Sequence, residues 1–318
     1  MNLPFDVIVG DCRETMRKMP AESVDCCITS PPYFGLRDYN VVGQIGLEVD
    51  LNEHLQVLLG VFREVWRVLK KDGTLWLNYG DAYASSVNGR KAADIVDDNR
   101  TFRDKPMDTV KATGLKPKDL MGLPWRLALA LQADGWWLRQ DIIWSKPNPM
   151  PESIKDRCTK SHEYIFLLSK SERYHFDYMA IREPIVADKG NRRKFRGGGK
   201  YTGGQSFDDT PVPNRTKGNA LGPRYEGDGL RNKRSVWSVA TAPFKDAHFA
   251  TFPPALIEPC VLAGCRPGGL ILDPFGGAGT TGLVATRNGR RAVLCELNPD
   301  YAMMALHRIA RDFYAPKI

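Results

Sequence analysis

Between residues 269 and 296 an apolar run, a glycine-rich turn, a helical stretch and a second apolar run ending in an acid follow one another. This order constrains the fold more than any other part of the chain. Gly269-Leu270-Ile271-Leu272-Asp273 stops at an acid, and Pro274-Phe275-Gly276-Gly277-Ala278-Gly279-Thr280-Thr281 then crowds three glycines into a turn. A helix is predicted from there to about residue 288, and Arg291-Ala292-Val293-Leu294-Cys295-Glu296 reads as the next strand. Strands alternating with helices predict a parallel α/β sheet. Glycines in a strand-to-helix turn let a ligand approach the backbone, and the helix start favours negative charge. Glu296 follows Asp273 by 23 positions, close to the ~20-residue offset at which an acid holds ribose hydroxyls. The turn lacks G-x-x-x-x-G-K-[ST], which disfavours a nucleoside triphosphatase, and its departure from G-x-G-x-x-G weakens a dinucleotide reading.

The remaining elements fit the same class. Residues 7–11 and 24–30 are short apolar runs, the second halted by Pro31-Pro32, and both read as buried parallel strands. Leu55, Leu58, Leu59, Phe62, Val65, Trp66 and Leu69 recur at helical spacing, with Lys70-Lys71-Asp72-Gly73 as the predicted stop. A strand is expected over 74–79, a long loop from 81 to about 118, a helix over 123–133, and strands over 136–144 and 164–168. From about 187 to 235 no period survives. A helix is expected from Phe252-Pro253-Pro254 to about 263, and a closing helix from Pro299.

The 318 residues, 42% hydrophobic and 26% charged, suit a folded chain of one or two units. No apolar run reaches the ~18 residues of a membrane span, and no basic-plus-apolar leader opens the chain, so a cytoplasmic protein is expected. Seven cysteines without a C-x-x-C pair argue against a disulfide framework or a metal site. Charge is unevenly placed: residues 181–235 hold 13 Lys/Arg against 6 acids, so +7 of the formal +8 lies there. A concentrated basic segment suggests a polyanion partner, although a solvated loop has the same composition.

Thr29-Ser30-Pro31-Pro32-Tyr33 follows the second strand, at the end where α/β sheets bind ligands. Two prolines remove two backbone donors and stiffen the turn. Carbonyls and the Ser30 hydroxyl are then held as acceptors, and Tyr33 offers a stacking face. Such a site suits an exocyclic base amine, although a Pro-Pro turn standing alone would simply end a strand. Together with 273–281 it resembles the amino-group DNA methyltransferases that use S-adenosylmethionine, and the order of the two motifs looks like the β class.

The resemblance spans roughly 5–144 and 236–314, and implies a Rossmann-like methyltransferase sheet, mostly parallel with helices on both faces. It divides the chain into a catalytic part (1–150), an inserted basic target-recognition region (151–235) and a cofactor-binding part (236–318) of the same domain. By the same matching, Ser30, Pro31, Pro32 and Tyr33 receive a flipped base. Asp273, Pro274, Phe275, Gly276, Gly277, Gly279, Thr280 and Thr281 cradle the cofactor, Glu296 takes its ribose, Asp11 its adenine side, and Phe252 covers its methionine part. Trp144 and Lys146 flank the base pocket, and Arg192, Arg193, Lys194 and Arg196 are expected on the phosphates of double-stranded DNA. A homodimer is expected by resemblance alone, with no membrane and no metal involved.

A C5-cytosine methyltransferase would need a nucleophilic cysteine; Pro259-Cys260 precedes the cofactor turn and continues into a helix, so Cys260 reads as core. A methyltransferase acting on RNA or on a protein glutamine, or a decayed DNA-binding protein, are the other readings. The basic insertion and the motif order favour DNA. Adenine N6 and cytosine N4 both stay open as the target atom, because a Ser head accepts a hydrogen bond from either amine.

Overall fold

The computed structural model describes residues 3–36, 38–39, 41–86, 107–185, 229–241 and 252–315. In chain order the first elements are β1 (Phe5–Val9), α1 (Cys12–Lys18), β2 (Val24–Thr29), α2 (Leu51–Val68) and β3 (Leu69–Tyr79). They are followed by α3 (Thr109–Thr113), α4 (Leu123–Ala133), β4 (Trp137–Ser145), β5 (His162–Ser169), β6 (Glu183–Pro184) and β7 (Leu230–Arg231). The last are β8 (Val236–Ser238), α5 (Pro254–Gly264), β9 (Leu270–Asp273), α6 (Thr280–Arg287), β10 (Arg291–Glu296) and α7 (Pro299–Tyr314).

Eight strands form one sheet in the order β1-β10-β9-β2-β3-β5-β4-β8. The first five are mutually parallel, β5 runs antiparallel to both β3 and β4, and β8 is parallel to β4. The mostly parallel sheet expected from the sequence is therefore present, with an antiparallel β4/β5 pair. Every residue of β2 is buried, as a central strand covered on both faces requires. Its alternation divides the core: Val24 and Cys27 pack with Leu58, Phe62 and Leu127 of α2 and α4. Cys26 and Ile28 pack on the other face with Leu256, Ile257 and Leu283 of α5 and α6. Cys260, weighed above as a nucleophile, is fully buried in α5.

Two departures have local causes. Helix α2 begins where Asp50 accepts the Glu53 N–H at 2.9 Å, and ends at Val68 because Leu69 already pairs with Val24 of β2. Gly73 is thus no helix stop. It lies inside β3, where an added Cβ would stand 3.2 Å from the Asp25 carbonyl oxygen. The expected loop over 81–118 contains α3, capped by Asp108 and closed by Gly114 at φ 67°. A five-residue helix offers too little apolar period to be seen in the sequence.

The chain divides into two compact units, residues 1–181 with 234–318, and residues 182–233. The expected insertion over 151–235 is correspondingly narrower, because β5 falls inside those bounds yet pairs in the main sheet. Its Ile165, Phe166, Leu167 and Leu168 are all buried. In the smaller unit β6 and β7 pair antiparallel, and Glu183 accepts from Arg231 at 3.0 Å. Residues 186–228, with Arg192, Arg193, Lys194 and Arg196, lie outside the described residues.

Candidate active site

Because β1, β10, β9, β2 and β3 are parallel neighbours, their carboxyl ends form a row: Asp11, Glu296, Asp273, Ser30 and Gly80. After β9 the chain moves outward to β10, and after β2 it moves the other way to β3. Such a divergence leaves a crevice at the strand ends. The antiparallel β5 starts at this same end, and β4 finishes there, so Glu163 and Lys146 reach the row from its far side.

At the centre is Asp273, 1% exposed. Its Oδ1 accepts from Thr29 Oγ1 at 2.6 Å and from the Phe275 N–H at 3.1 Å, and its Oδ2 accepts from Thr281 Oγ1 at 2.6 Å. Burial pushes its carboxyl above the ordinary range against the pull of these donors. Asp273 and Thr281, expected against the cofactor, are therefore turned inward, because three donors already hold the carboxylate. The residue instead ties the cofactor turn to the last residue of β2, immediately before Ser30. Thr280 is also buried, its hydroxyl receiving Arg308, as are Pro274, Gly276 and Gly279. An added Cβ on Gly279 would meet Ala305 of α7 at 2.9 Å, so that glycine serves helix packing.

The half-buried members of the expected set are Phe275, Gly277, Glu296, Asp11 and Phe252. Glu296 accepts the Gly277 N–H at 2.8 Å and the Asn298 N–H at 2.9 Å. Gly277 has φ 50°, a left-handed conformation natural to glycine. Burial raises the Glu296 carboxyl above its usual range. Beside it, Val9 pairs with Glu296, and Asp11 caps α1 while binding Arg13 at 2.5 Å. The Arg13 guanidinium holds the Asp11 carboxyl below the usual range.

On the other side of Asp273, Ser30, Pro32 and Tyr33 are half-buried and Pro31 is buried. The Tyr33 hydroxyl donates to Glu163 Oε2 at 3.0 Å, and Asn78 Nδ2 donates to the same oxygen at 3.3 Å. Glu163 Oε1 pairs with Lys146 Nζ at 2.5 Å. Burial and the Glu163 charge push the Tyr33 phenol well above its ordinary value. The ring lies on Gly80, where a Cβ would come within 2.6 Å of it. Lys160 donates to the Asp81 carbonyl, and burial lowers its ammonium below the usual lysine range.

Trp144 and Lys146 are placed differently from the expectation. Trp144 is 4% exposed, and its indole N–H donates to the Val239 carbonyl at 2.8 Å. Lys146 lies over the Trp144 ring at 4.3 Å and is committed to Glu163. An apolar strand neighbour buries the indole, and a carboxylate two strands from the turn captures the lysine. Sequence reading missed Thr29's acceptor, Asn78, Gly80 and Glu163, whose partners are distant in the chain. The one available signal was Thr29 itself, a polar residue closing an apolar strand.

The sequence model of a DNA methylase family, N6_N4_Mtase, matches residues 24–307. The type II methyltransferase M.XycI of Xanthomonas campestris pv. cyanopsidis is 47% identical over 300 residues, 94% of this chain and 86% of its own. M.SmaI of Serratia marcescens is 46% identical over 305 residues, 96% of this chain and 90% of its own. Among solved structures, the cytosine-N4-specific PvuII DNA methyltransferase superposes with a TM-score of 0.63 at 20% identity, covering 100% of this chain and 89% of that one. A DNA modification methylase of Thermus thermophilus, TTHA0409, solved with S-adenosyl-L-methionine, gives a TM-score of 0.57 at 26% identity, covering 98% of this chain and 96% of that one. A family match over most of the chain, joined by relatives close to half identical along nearly its whole length, establishes that the protein belongs to the N6/N4 DNA methylases and is a DNA amino-methyltransferase.

Proposed function

We propose that the crevice between β9 and β2 carries a methyl group from S-adenosylmethionine to the exocyclic amine of a base flipped out of duplex DNA. The observation behind this reading is the 2.6 Å hydrogen bond from Thr29 to Asp273. Two motifs 244 positions apart are thereby fastened side by side, one suited to a cofactor and one to an amine.

The chain's own groups fit the cofactor on the Glu296 side. That carboxylate takes two backbone donors and keeps lone pairs for ribose hydroxyls. Phe275 and Gly277 would line the methionine part, Phe252 would cover it, and Asp11 would take the adenine side. S-adenosylmethionine, when bound, supplies an electrophilic methyl group on its sulfonium.

On the other side, Ser30 Oγ and the Pro31 carbonyl would accept the two amine hydrogens, directing the nitrogen lone pair into the crevice. Tyr33 would stack on the base, its hydroxyl anchored by Glu163. The nitrogen gains a methyl group and gives up one proton, and adenine N6 and cytosine N4 both satisfy this geometry. Flipping the base costs about a few kcal/mol, which stacking on an aromatic ring offsets in part.

In this reading the region expected over 151–235 recognises the target, with its basic segment on DNA phosphates. Changing Arg192, Arg193, Lys194 and Arg196 to Ala should lower the slope of log affinity against log salt by about 0.9 for each lost contact. A homodimer and a cytoplasmic location belong to the same proposal; among the described residues no helix is long and apolar enough to cross a membrane.

The test is chemical. Duplex DNA treated with the protein and S-adenosylmethionine is digested to nucleosides, which are identified by mass and retention. N6-methyladenine or N4-methylcytosine is expected. No methylated base, or 5-methylcytosine alone, would contradict the assignment of Ser30 to Tyr33.

A further inference from the structure

Behind Tyr33, on the side away from Glu163, lies a buried polar chain that the proposed reaction does not use. His54, in the first turn of α2, has no solvent exposure. Its Nδ1 is 2.7 Å from Glu48 Oε2, and its Nε2 is 2.9 Å from the Tyr79 hydroxyl. An ionised Glu48 can only accept, so Nδ1 carries a proton; in the neutral ring Nε2 then accepts the Tyr79 O–H.

Both ends of this chain grip the segment that follows the catalytic turn. Glu48 accepts the Gly46 N–H with its two oxygens at 3.1 and 2.9 Å. The Gly46 carbonyl accepts the Gly35 N–H at 2.9 Å, closing the loop that leaves Tyr33. Gly46 has φ 105°, and a Cβ there would stand 3.2 Å from the Tyr33 carbonyl oxygen and 3.3 Å from Pro32 Cβ. At the other end, Tyr79 meets the Tyr33 ring edge-on, centroids 4.9 Å apart at 89°. The Phe34 backbone hydrogen-bonds the Tyr79 hydroxyl. Three buried or nearly buried polar side chains thus converge on Pro32, Tyr33 and Phe34.

We propose that Glu48, His54 and Tyr79 form a positioning relay for the base pocket, setting the Tyr33 ring and the loop behind it without touching base or cofactor. The inference rests on the pocket assignment above for its kinetic consequence, and on the hydrogen bonds alone for its mechanical one. A side chain that merely filled the core would change stability and leave turnover per folded molecule alone. A relay that aims Tyr33 would change the maximal rate and leave the cofactor half of the crevice alone.

Tyr79→Phe keeps the ring contact and deletes the hydroxyl. His54→Gln keeps one donor and one acceptor, and His54→Leu keeps neither. Each full-length variant is measured for S-adenosylmethionine affinity by calorimetry, for kcat and KM on unmethylated genomic DNA, and for amide exchange over residues 33–46. Tyr79→Phe should exchange faster over 33–46, bind cofactor as wild type does, and lose about tenfold in kcat, the effect of one net hydrogen bond. His54→Leu should do the same, with His54→Gln recovering most of the loss.

Wild-type kcat and wild-type exchange in Tyr79→Phe would overturn the relay, and so would a rise in cofactor KM that tracks the fall in kcat. If His54→Leu fails to fold, Tyr79→Phe and His54→Gln carry the test. Wild-type protein inactive on DNA would refute the pocket assignment, while the exchange measurement would still decide whether these side chains hold the loop.

Discussion

The two halves of the crevice are built in different ways. On the cofactor side, Glu296 is held by the backbone of Gly277 and Asn298, and Asp11 by its neighbour Arg13, all within 19 positions of their partners. On the base side, Tyr33 depends on Glu163, 130 positions away, and Glu163 depends on Lys146 and Asn78 from two further strands. Local backbone geometry can therefore assemble one half, whereas the other exists only once the antiparallel β4/β5 pair has docked beside β3. Asp273 is the joint between them. The comparison teaches that a motif can be complete in sequence while the pocket it serves is not.

Breaking the joint should have the largest effect. Asp273→Ala strands the Thr29 and Thr281 hydroxyls and the Phe275 N–H, each an unmet buried donor costing about 1–3 kcal/mol. Thermal unfolding should show a fall of several degrees, with both cofactor binding and turnover reduced. Loss of cofactor affinity at an unchanged melting temperature would mean that Asp273 touches the cofactor after all.

Next comes the stacking face. Tyr33→Ala should lower methyl transfer by about 10- to 100-fold, as expected for one lost base stack, with cofactor affinity unchanged in calorimetry. Gly80→Ala should act in the same direction, since its Cβ would stand 2.6 Å from the Tyr33 ring. Normal turnover in Gly80→Ala would show that the ring has room to move.

Glu163→Gln keeps a hydrogen-bond acceptor for Tyr33 but removes the charge opposite Lys146, which is 18% exposed at its side chain. A loss of about tenfold in kcat is expected, because an uncompensated, mostly buried ammonium should displace the network. An effect on cofactor KM instead would blur the division between the halves.

The smallest effect is one of pH. Burial places the Glu296 carboxyl above its ordinary value of 4.5, and protonation would take away an acceptor for the ribose. Cofactor affinity should therefore weaken as pH falls through a midpoint above 4.5, and Glu296→Gln should flatten that profile. For folding the sign is opposite: a carboxyl raised in the folded state favours that state at low pH, and the contribution is lost as pH rises through the folded value. A midpoint at or below 4.5 in calorimetric titrations would contradict the burial argument.

The sequence was most legible where periodicity and local turns decide the outcome. Helix 123–133 and strand 291–296 have the predicted bounds, and the fold class follows from their alternation. The Gly73 stop was misread because a glycine after a helix looks the same whether it caps the helix or lets a strand approach its neighbour. In the site, Glu296 and Ser30 stand at strand ends where they were expected. Asp273 was identified but given the wrong facing, since spacing cannot say which side of a turn a carboxylate faces. Trp144 and Lys146 were placed near the pocket correctly and assigned the wrong partner. Glu163 and His54 were invisible, because nothing in an apolar strand or an amphipathic helix marks a polar residue whose partners come from other elements.

The division of labour across Asp273 is tested most directly in Ser30→Ala, by measuring two quantities on the same preparation. Calorimetry gives the dissociation constant for S-adenosylmethionine, and rapid quench at saturating cofactor gives the single-turnover rate of methyl transfer to duplex DNA. Ser30 stands on the base side of the joint, so the rate should fall about 10- to 100-fold, the loss of one hydrogen bond to the reacting amine, while the dissociation constant stays within about twofold. A dissociation constant that weakens in step with the rate, or a rate equal to that of the wild type, would contradict the account.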